Sequence, residues 1–422
     1  MNNLCPDNKL KVFVSAYACE PGLGSEIGVG WHWVIEMAKY FELWVMTRES
    51  NRQRIETWMK EHPQDNNIHF LYYDLPKWAR FWKKGLRGVR TYYNIWQIMT
   101  NKIVERTMKQ ENIQVFHHLT YGNAIWRVSK YGQQQCFIWG PIGGLESIPK
   151  DFTKHYSWKW KLIEAIRRMM ANTAKWNIGL RKKVQNADLI LCKTKETLKK
   201  ISFFSNKNKI LFTDVAPEYK KNYTFAISPS HHTRFISVGR LDAWRGFDLV
   251  IEAFEKVHEQ NENTTLCILG EGSERNQLEK IIAQKKLCDC VTLKGEVTID
   301  IYQQLMEESD VVVNASLKEG SVTVAFDAMA MGKPIVCIDT GGYTRYFDDS
   351  FAVVIELTNR REVIDKLKTG MLMLTKTELR KDFGENAMSV AKQLSWEKHG
   401  ADIRDVITKA YEDWNDRTKV KP

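Results

Sequence analysis

Two carboxylates, Glu319 and Asp327, stand with seven residues between them in the stretch KEGSVTVAFDAMAMGKPIVCIDTGG, Lys318–Gly342. Glu319 and Gly320 fall in a polar turn after the apolar run DVVVNAS, and the residues that follow repeat with helical spacing as far as Gly332, a natural helix stop. Pro334 then opens a β-branched strand, PIVCID. Free N–H groups at the start of that helix, at Ser321, Val322, Thr323 and Val324, would form an anion site in which the helix macrodipole favours a diphosphate. The two carboxylates are then spaced to hold two parts of one ligand. The same pattern also describes a βαβ unit with an acidic loop and no ligand.

Further chemistry is offered by Arg240 and Arg245 in SVGRLDAWRGFDLVIEAF, where a strand ending at Gly239 delivers two cations able to bracket a diphosphate. Read alone, two arginines in a loop are also ordinary surface residues. Gly270 makes a tight turn after the next strand. Nearer the N-terminus, Gly22-x-Gly24-x-x-x-Gly28 resembles a dinucleotide fingerprint, and Arg48 would suit a 2′-phosphate, which keeps an oxidoreductase reading open. Against it, the residues ACEP separate these glycines from the preceding strand KVFVSAY. His117 and His118 close another strand; neighbours there point to opposite faces, so one is expected to line a site, with His118 favoured. Either also suits a satisfied histidine under a sheet.

The elements that must position these groups alternate as strand and helix along nearly the whole chain, the signature of doubly wound α/β architecture. Strands are expected at KVFVSAY, ELWVMT, IHFLYY, QVFHHL, CFIWG and DLILCK, and again at RFISVG, TLCILG, VTLKG, DVVVNA, PIVCID and FAVVIE. Two consecutive series imply two Rossmann-like domains, 1–215 and 230–394, with the break in the polar stretch Phe212–His232 and a closing segment, 395–422. A cleft between such domains is the expected ligand site.

The acidic segment, the arginine loop and the closing segment together resemble retaining glycosyltransferases of family 4, which have the GT-B fold. That resemblance implies two Rossmann-like domains facing a cleft, with the C-terminal helix returning to the first domain. It implies that Glu319 lies by the transferred sugar, that Asp327, an aspartate where the family has glutamate, holds the ribose, and that Arg240 and Arg245 neutralise the leaving diphosphate. Gly24, Gly239, Gly270, Val297 and the run Gly320, Ser321, Val322 and Thr323 would complete the donor side, with the main chain near Glu296 and Val297 meeting the base. His118 would touch the sugar, and His117, Gly143 and Glu146 would stand on the acceptor side. Arg345 departs from the family, where a glutamate is usual. The implied reaction is hexosyl transfer from a nucleoside-diphosphate sugar to a hydroxyl of a lipid-linked or polysaccharide acceptor, with the donor as substrate and no cofactor or metal. Two alternatives follow from the same likeness: a nucleotide-sugar epimerase, and a noncatalytic sugar-nucleotide or membrane-binding partner.

Charge adds a second theme. The net charge of +11 belongs to the first 220 residues, where 35 Lys and Arg face 19 Asp and Glu. Leu75–Met99 and His155–Val184 mix those cations with Trp, Tyr and long aliphatics, as suits either an anionic membrane surface or a solvated face over a buried aromatic stripe. No nucleic-acid motif accompanies them, and no nucleic-acid partner is expected. The N-terminus lacks a signal-peptide core, so a cytoplasmic protein, peripheral at the inner membrane face, is expected. Of eight cysteines, Cys192, Cys267 and Cys337 lie in apolar runs, and Cys288-x-Cys290 lacks the partners of a zinc site.

Overall fold

The computed structural model describes residues 9–63, 67–83, 88–129, 134–204, 208–218, 232–318 and 323–419. The chain divides into two compact units. The first comprises Met1–Leu145, Thr173–Asp214 and Trp396–Pro422, and the second Glu146–Asn172 and Val215–Ser395.

The first unit is built on seven strands: β1 (Lys11–Ser15), β2 (Glu42–Thr47), β3 (Ile68–Tyr72), β4 (Val115–His118), β5 (Cys136–Ile142), β6 (Leu189–Cys192) and β7 (Asn208–Leu211). They lie in the order β3-β2-β1-β4-β5-β6-β7, and every pairing is parallel. Parallel strands covered on both faces need continuous apolar runs, and β4 and β5 are buried at every residue. The helix Trp396–Lys419 packs on the helix Ser25–Ala38, burying His399, Ile403, Ile407 and Ala410.

In the second unit β8 (Thr233–Val238), β9 (Thr264–Leu269), β10 (Val291–Gly295), β11 (Val311–Asn314), β12 (Ile335–Asp339) and β13 (Ala352–Glu356) form a second parallel sheet, ordered β10-β9-β8-β11-β12-β13. Both sheets thus share the doubly wound order in which the winding reverses beside the first strand. That reversal lies between β1 and β4 in one unit and between β8 and β11 in the other. The expected α/β fold of two Rossmann-like units is the fold observed.

The units do not follow the expected bounds 1–215 and 230–394 throughout. Residues 146–172 belong to the second unit, because Ile148, Phe152 and Tyr156 enter the same core as Phe247, Leu249 and Leu278. The backbone of Arg360 secures the segment further by donating to the Asp151 carboxylate at 3.0 Å. The second basic, aromatic segment is therefore split between the units, and its long helix is not part of the first. In the first such segment Tyr92, Tyr93 and Trp96 point into the core, whereas Trp78 and Phe81 are exposed.

Candidate active site

In open α/β sheets ligands bind beyond the carboxyl ends of the strands, where the winding reverses. In the second unit that position is occupied by the segments following β8 and β11, which are tied together. The N–H of Leu317 donates to the Trp244 carbonyl at 3.0 Å. Gly246, in the left-handed region, lies so close to Ala315 that a Cβ there would come within 2.3 Å of its carbonyl oxygen. This packing brings the arginine loop beside the end of the segment that leads to Glu319.

Three cations gather there. The Arg245 guanidinium lies over the Trp244 indole, 4.5 Å from the ring centroid, and Lys318 Nζ is 5.3 Å from the same ring. Arg245 also lies across the backbone of Gly239, with guanidinium atoms 3.6 Å from where a Cβ would stand. Arg240 is the exposed member, and its Nη2 donates to the Asp242 carboxylate at 2.7 Å. Gly270 supports the turn from behind: its φ is +130°, and a Cβ would fall 2.0 Å from the Gly239 carbonyl oxygen.

Lys318 is held from the other side by Glu164, whose carboxylate also accepts from Arg167. Burial lowers the Lys318 pKa to about 8, and the Arg167 charge pushes the same way, against the pull of Glu164. Neither Lys318 nor Trp244 is marked by sequence pattern alone, since the first reads as a loop lysine and the second as an apolar loop residue. The signal available was adjacency, Trp244 to Arg245 and Lys318 to Glu319.

Asp327 is on the helix Thr323–Ala330 and accepts a 2.6 Å hydrogen bond from the Tyr302 phenol, on the helix Ile299–Glu308. Thr323, exposed, is the first residue of its helix, and Val297 is half-buried just before Thr298, which caps the other. Arg345 lies over the ring of its neighbour Tyr346 at 4.9 Å. Glu319, Gly320, Ser321 and Val322 lie outside the described residues. Among the described residues, no group of three or more His, Cys, Asp or Glu could hold a metal ion.

The first unit corrects several expectations. Neither histidine reaches solvent, because β4 is a central strand covered on both faces. His117 is 0 % exposed, packs by Trp33 and shares a 2.8 Å hydrogen bond with the Gly140 carbonyl. His118 points to the other face at 1 % exposure and meets the Tyr93 hydroxyl at 2.9 Å. That hydroxyl donates to the Arg127 carbonyl, so His118 donates to it from Nε2 and stays neutral. Burial lowers the pKa of His117 to about 4 and of His118 to about 3, and a nearby buried cation, Lys183, adds to the second shift. A direct sugar contact by His118 is therefore not what this structure presents.

Gly143 is similarly engaged: its N–H donates to Gly122 and its carbonyl accepts from Ala124. Glu146 belongs to the second unit, where its charge acts on Lys318. Gly24 is exposed and in open space at the start of the Ser25–Ala38 helix. The glycines further into that helix serve close packing. A Cβ on Gly28 or Gly30 would strike the carbonyls of Leu23 or Ala18, so this pattern seats a loop on a helix. Arg48 lies over Tyr17 and donates to Asn51.

Residues 195–390 match the family model for glycosyl transferases group 1. The match covers most of the second unit, including the arginine loop and the acidic segment. Among curated relatives, alpha-D-kanosaminyltransferase of Streptomyces kanamyceticus is 28% identical over 151 residues, 36% of this chain and 38% of that protein. The chain spans 37–40% of the length of the first curated relatives it matches. Solved structures match further. WaaG, a glycosyltransferase involved in lipopolysaccharide biosynthesis, aligns over 94% of this chain and 99% of its own at 14% identity, with a TM-score of 0.57. Anabaena HepE in complex with UDP and glucose aligns over 95% and 100% at 16% identity, also with a TM-score of 0.57. At such identities the likeness shows the fold, two Rossmann-like units of the GT-B kind.

Proposed function

We propose that this protein is a retaining glycosyltransferase of family 4 that moves a hexosyl group from a nucleoside-diphosphate sugar to a hydroxyl of a lipid-linked or polysaccharide acceptor. The observation that carries the reading is the cluster of Arg240, Arg245 and Lys318 at the winding reversal of a group 1 domain. Breaking the anomeric carbon–oxygen bond places negative charge on the departing diphosphate, and cations fixed beforehand stabilise that charge as it forms. Arg245 meets the phosphate oxygens as a planar fork, while Lys318 supplies a compact charge beside it. Asp327, oriented by the Tyr302 phenol, holds the ribose. Glu319 stands by the transferred sugar. Retention proceeds by same-face displacement, in which the departing phosphate takes the acceptor proton and Glu319 forms no covalent bond.

The acceptor side is assigned to the first unit, and the protein is placed at the cytoplasmic face of the membrane. Uracil is the first base to try, since HepE was solved with UDP and glucose. A thermal-shift screen over UDP-, GDP- and ADP-sugars tests the donor assignment, because a ligand that binds only the folded protein raises its melting temperature. One donor class is expected to raise it. No shift with any of them would contradict the reading, and conversion of the donor to its epimer without acceptor would replace it with an epimerase.

A further inference from the structure

The helix Trp158–Asn172 is amphipathic the wrong way round for a solvated helix. Three of its five charged residues, Glu164, Arg167 and Arg168, face the protein, where Glu164 bridges Lys318 and Arg167, and Arg168 donates to the Ile148 carbonyl at 2.9 Å. Its large apolar residues face out: Trp158 is 71% exposed, Met169 60% and Leu162 54%, with Ile163, Ile166 and Met170 beside them. At 100° per residue these six fall within a stripe about 140° wide. Polar groups turned inward and six large hydrophobes turned outward cost solvation in water unless something covers the stripe.

The choice of what covers it follows from charge and area. Lys159 lies within the stripe and Lys161 about 60° beyond it, both exposed, and the outward face carries no carboxylate, since Glu164 is the helix's only acid. Apposed to a second copy, such a face would set lysine against lysine. A helix of this length is about 22 Å long and 10 Å wide, so it offers on the order of 200 Å², well short of the roughly 800 Å² per partner of a stable protein interface. An anionic bilayer meets neither objection. It accepts a shallow apolar stripe, seats the Trp158 indole at its boundary and pairs its headgroups with Lys159.

We propose that the outward face of this helix, on the second unit, docks onto an anionic phospholipid surface. The inference stands on the helix itself and not on the transfer reaction. It is tested with the full-length chain and vesicles of phosphatidylcholine, alone or mixed with phosphatidylglycerol. The protein is expected to sediment with the mixed vesicles, and Leu162→Ser/Ile166→Ser/Met169→Ser to lose at least about tenfold in affinity at any salt while melting at the wild-type temperature. Lys159→Gln is expected to lose about fivefold at low salt, and less at high salt. Wild-type protein left in the supernatant at low salt would overturn the proposal. So would a triple variant that sediments like wild type, or a wild-type dimer that the triple variant dissolves. Vesicle binding without turnover of any donor leaves this inference standing and removes the transferase reading, whereas turnover without vesicle binding does the reverse.

Discussion

Lys318 sets the pH behaviour of the proposed donor site. Its ammonium is charged below about 8 and loses its charge as the pH rises through that value, because burial disfavours the charged form. Donor affinity measured by calorimetry is therefore expected to fall as pH rises through 8, and Lys318→Arg, always charged, to move the fall to higher pH. An unchanged profile in that variant would remove Lys318 from the site. The pair of Asp327 and Tyr302 makes a second prediction at this scale. An aspartate is shorter than the glutamate usual in the resembling family, and the 2.6 Å bond from Tyr302 fixes where its carboxylate points. Tyr302→Phe is expected to raise KM for the donor about tenfold while leaving kcat close to wild type, as loss of one charge-assisted hydrogen bond would do. The residues that sequence pattern marks are those with a spacing signature, Arg240, Arg245 and Asp327. It misses Lys318, Trp244 and Tyr302, whose significance comes from neighbours brought together only by folding. It misjudges His118, because a strand-end histidine looks alike whether it faces a ligand or a tyrosine.

Elements were more legible than side chains. All twelve expected strands are present, since a strand buried on both faces must be a run of apolar residues bounded by turns. The thirteenth, β7, escaped notice because it is an edge strand whose Asn208 and Lys209 carry the polarity that protects an edge. The turn after β9 is packed closely on the turn after β8. Gly270→Ala would push a methyl group into the Gly239 carbonyl at a φ of +130°, so a loss of roughly 2 kcal/mol or more in stability to urea is expected. Arg360 ties the helix it begins to the helix Phe247–His258 through Asp248 and Glu252, at 2.7 and 2.9 Å. Arg360→Met leaves two carboxylates without that partner and is expected to cost about 3 kcal/mol by the same measurement.

At the scale of the whole molecule, the two sheets repeat one winding order, and the break between the two series of strands was visible as a polar stretch. The transfer of 146–172 to the second unit was not visible, because its apolar residues Ile148, Phe152 and Tyr156 fit either core by composition. The first unit carries a built-in sensitivity to acid. His117 and His118 are neutral when folded, with pKa values lowered to about 4 and about 3 from 6.5, so the unfolded chain binds more protons than the folded one below 6.5. Stability is therefore full above 6.5 and is lost as pH falls towards 4, on the order of 3 kcal/mol for His117 alone, and thermal melting across that range reads it. The central claim concerns the second unit and the reaction it serves. It is tested most directly by release of nucleoside diphosphate from a donor sugar, in the presence of acceptor, by wild-type protein and by Arg245→Ala and Glu319→Ala. Release by wild type is expected, with a loss of about 100-fold or more in each variant, the scale of removing one group that stabilises the developing charge. Release at the wild-type rate by both variants would contradict it.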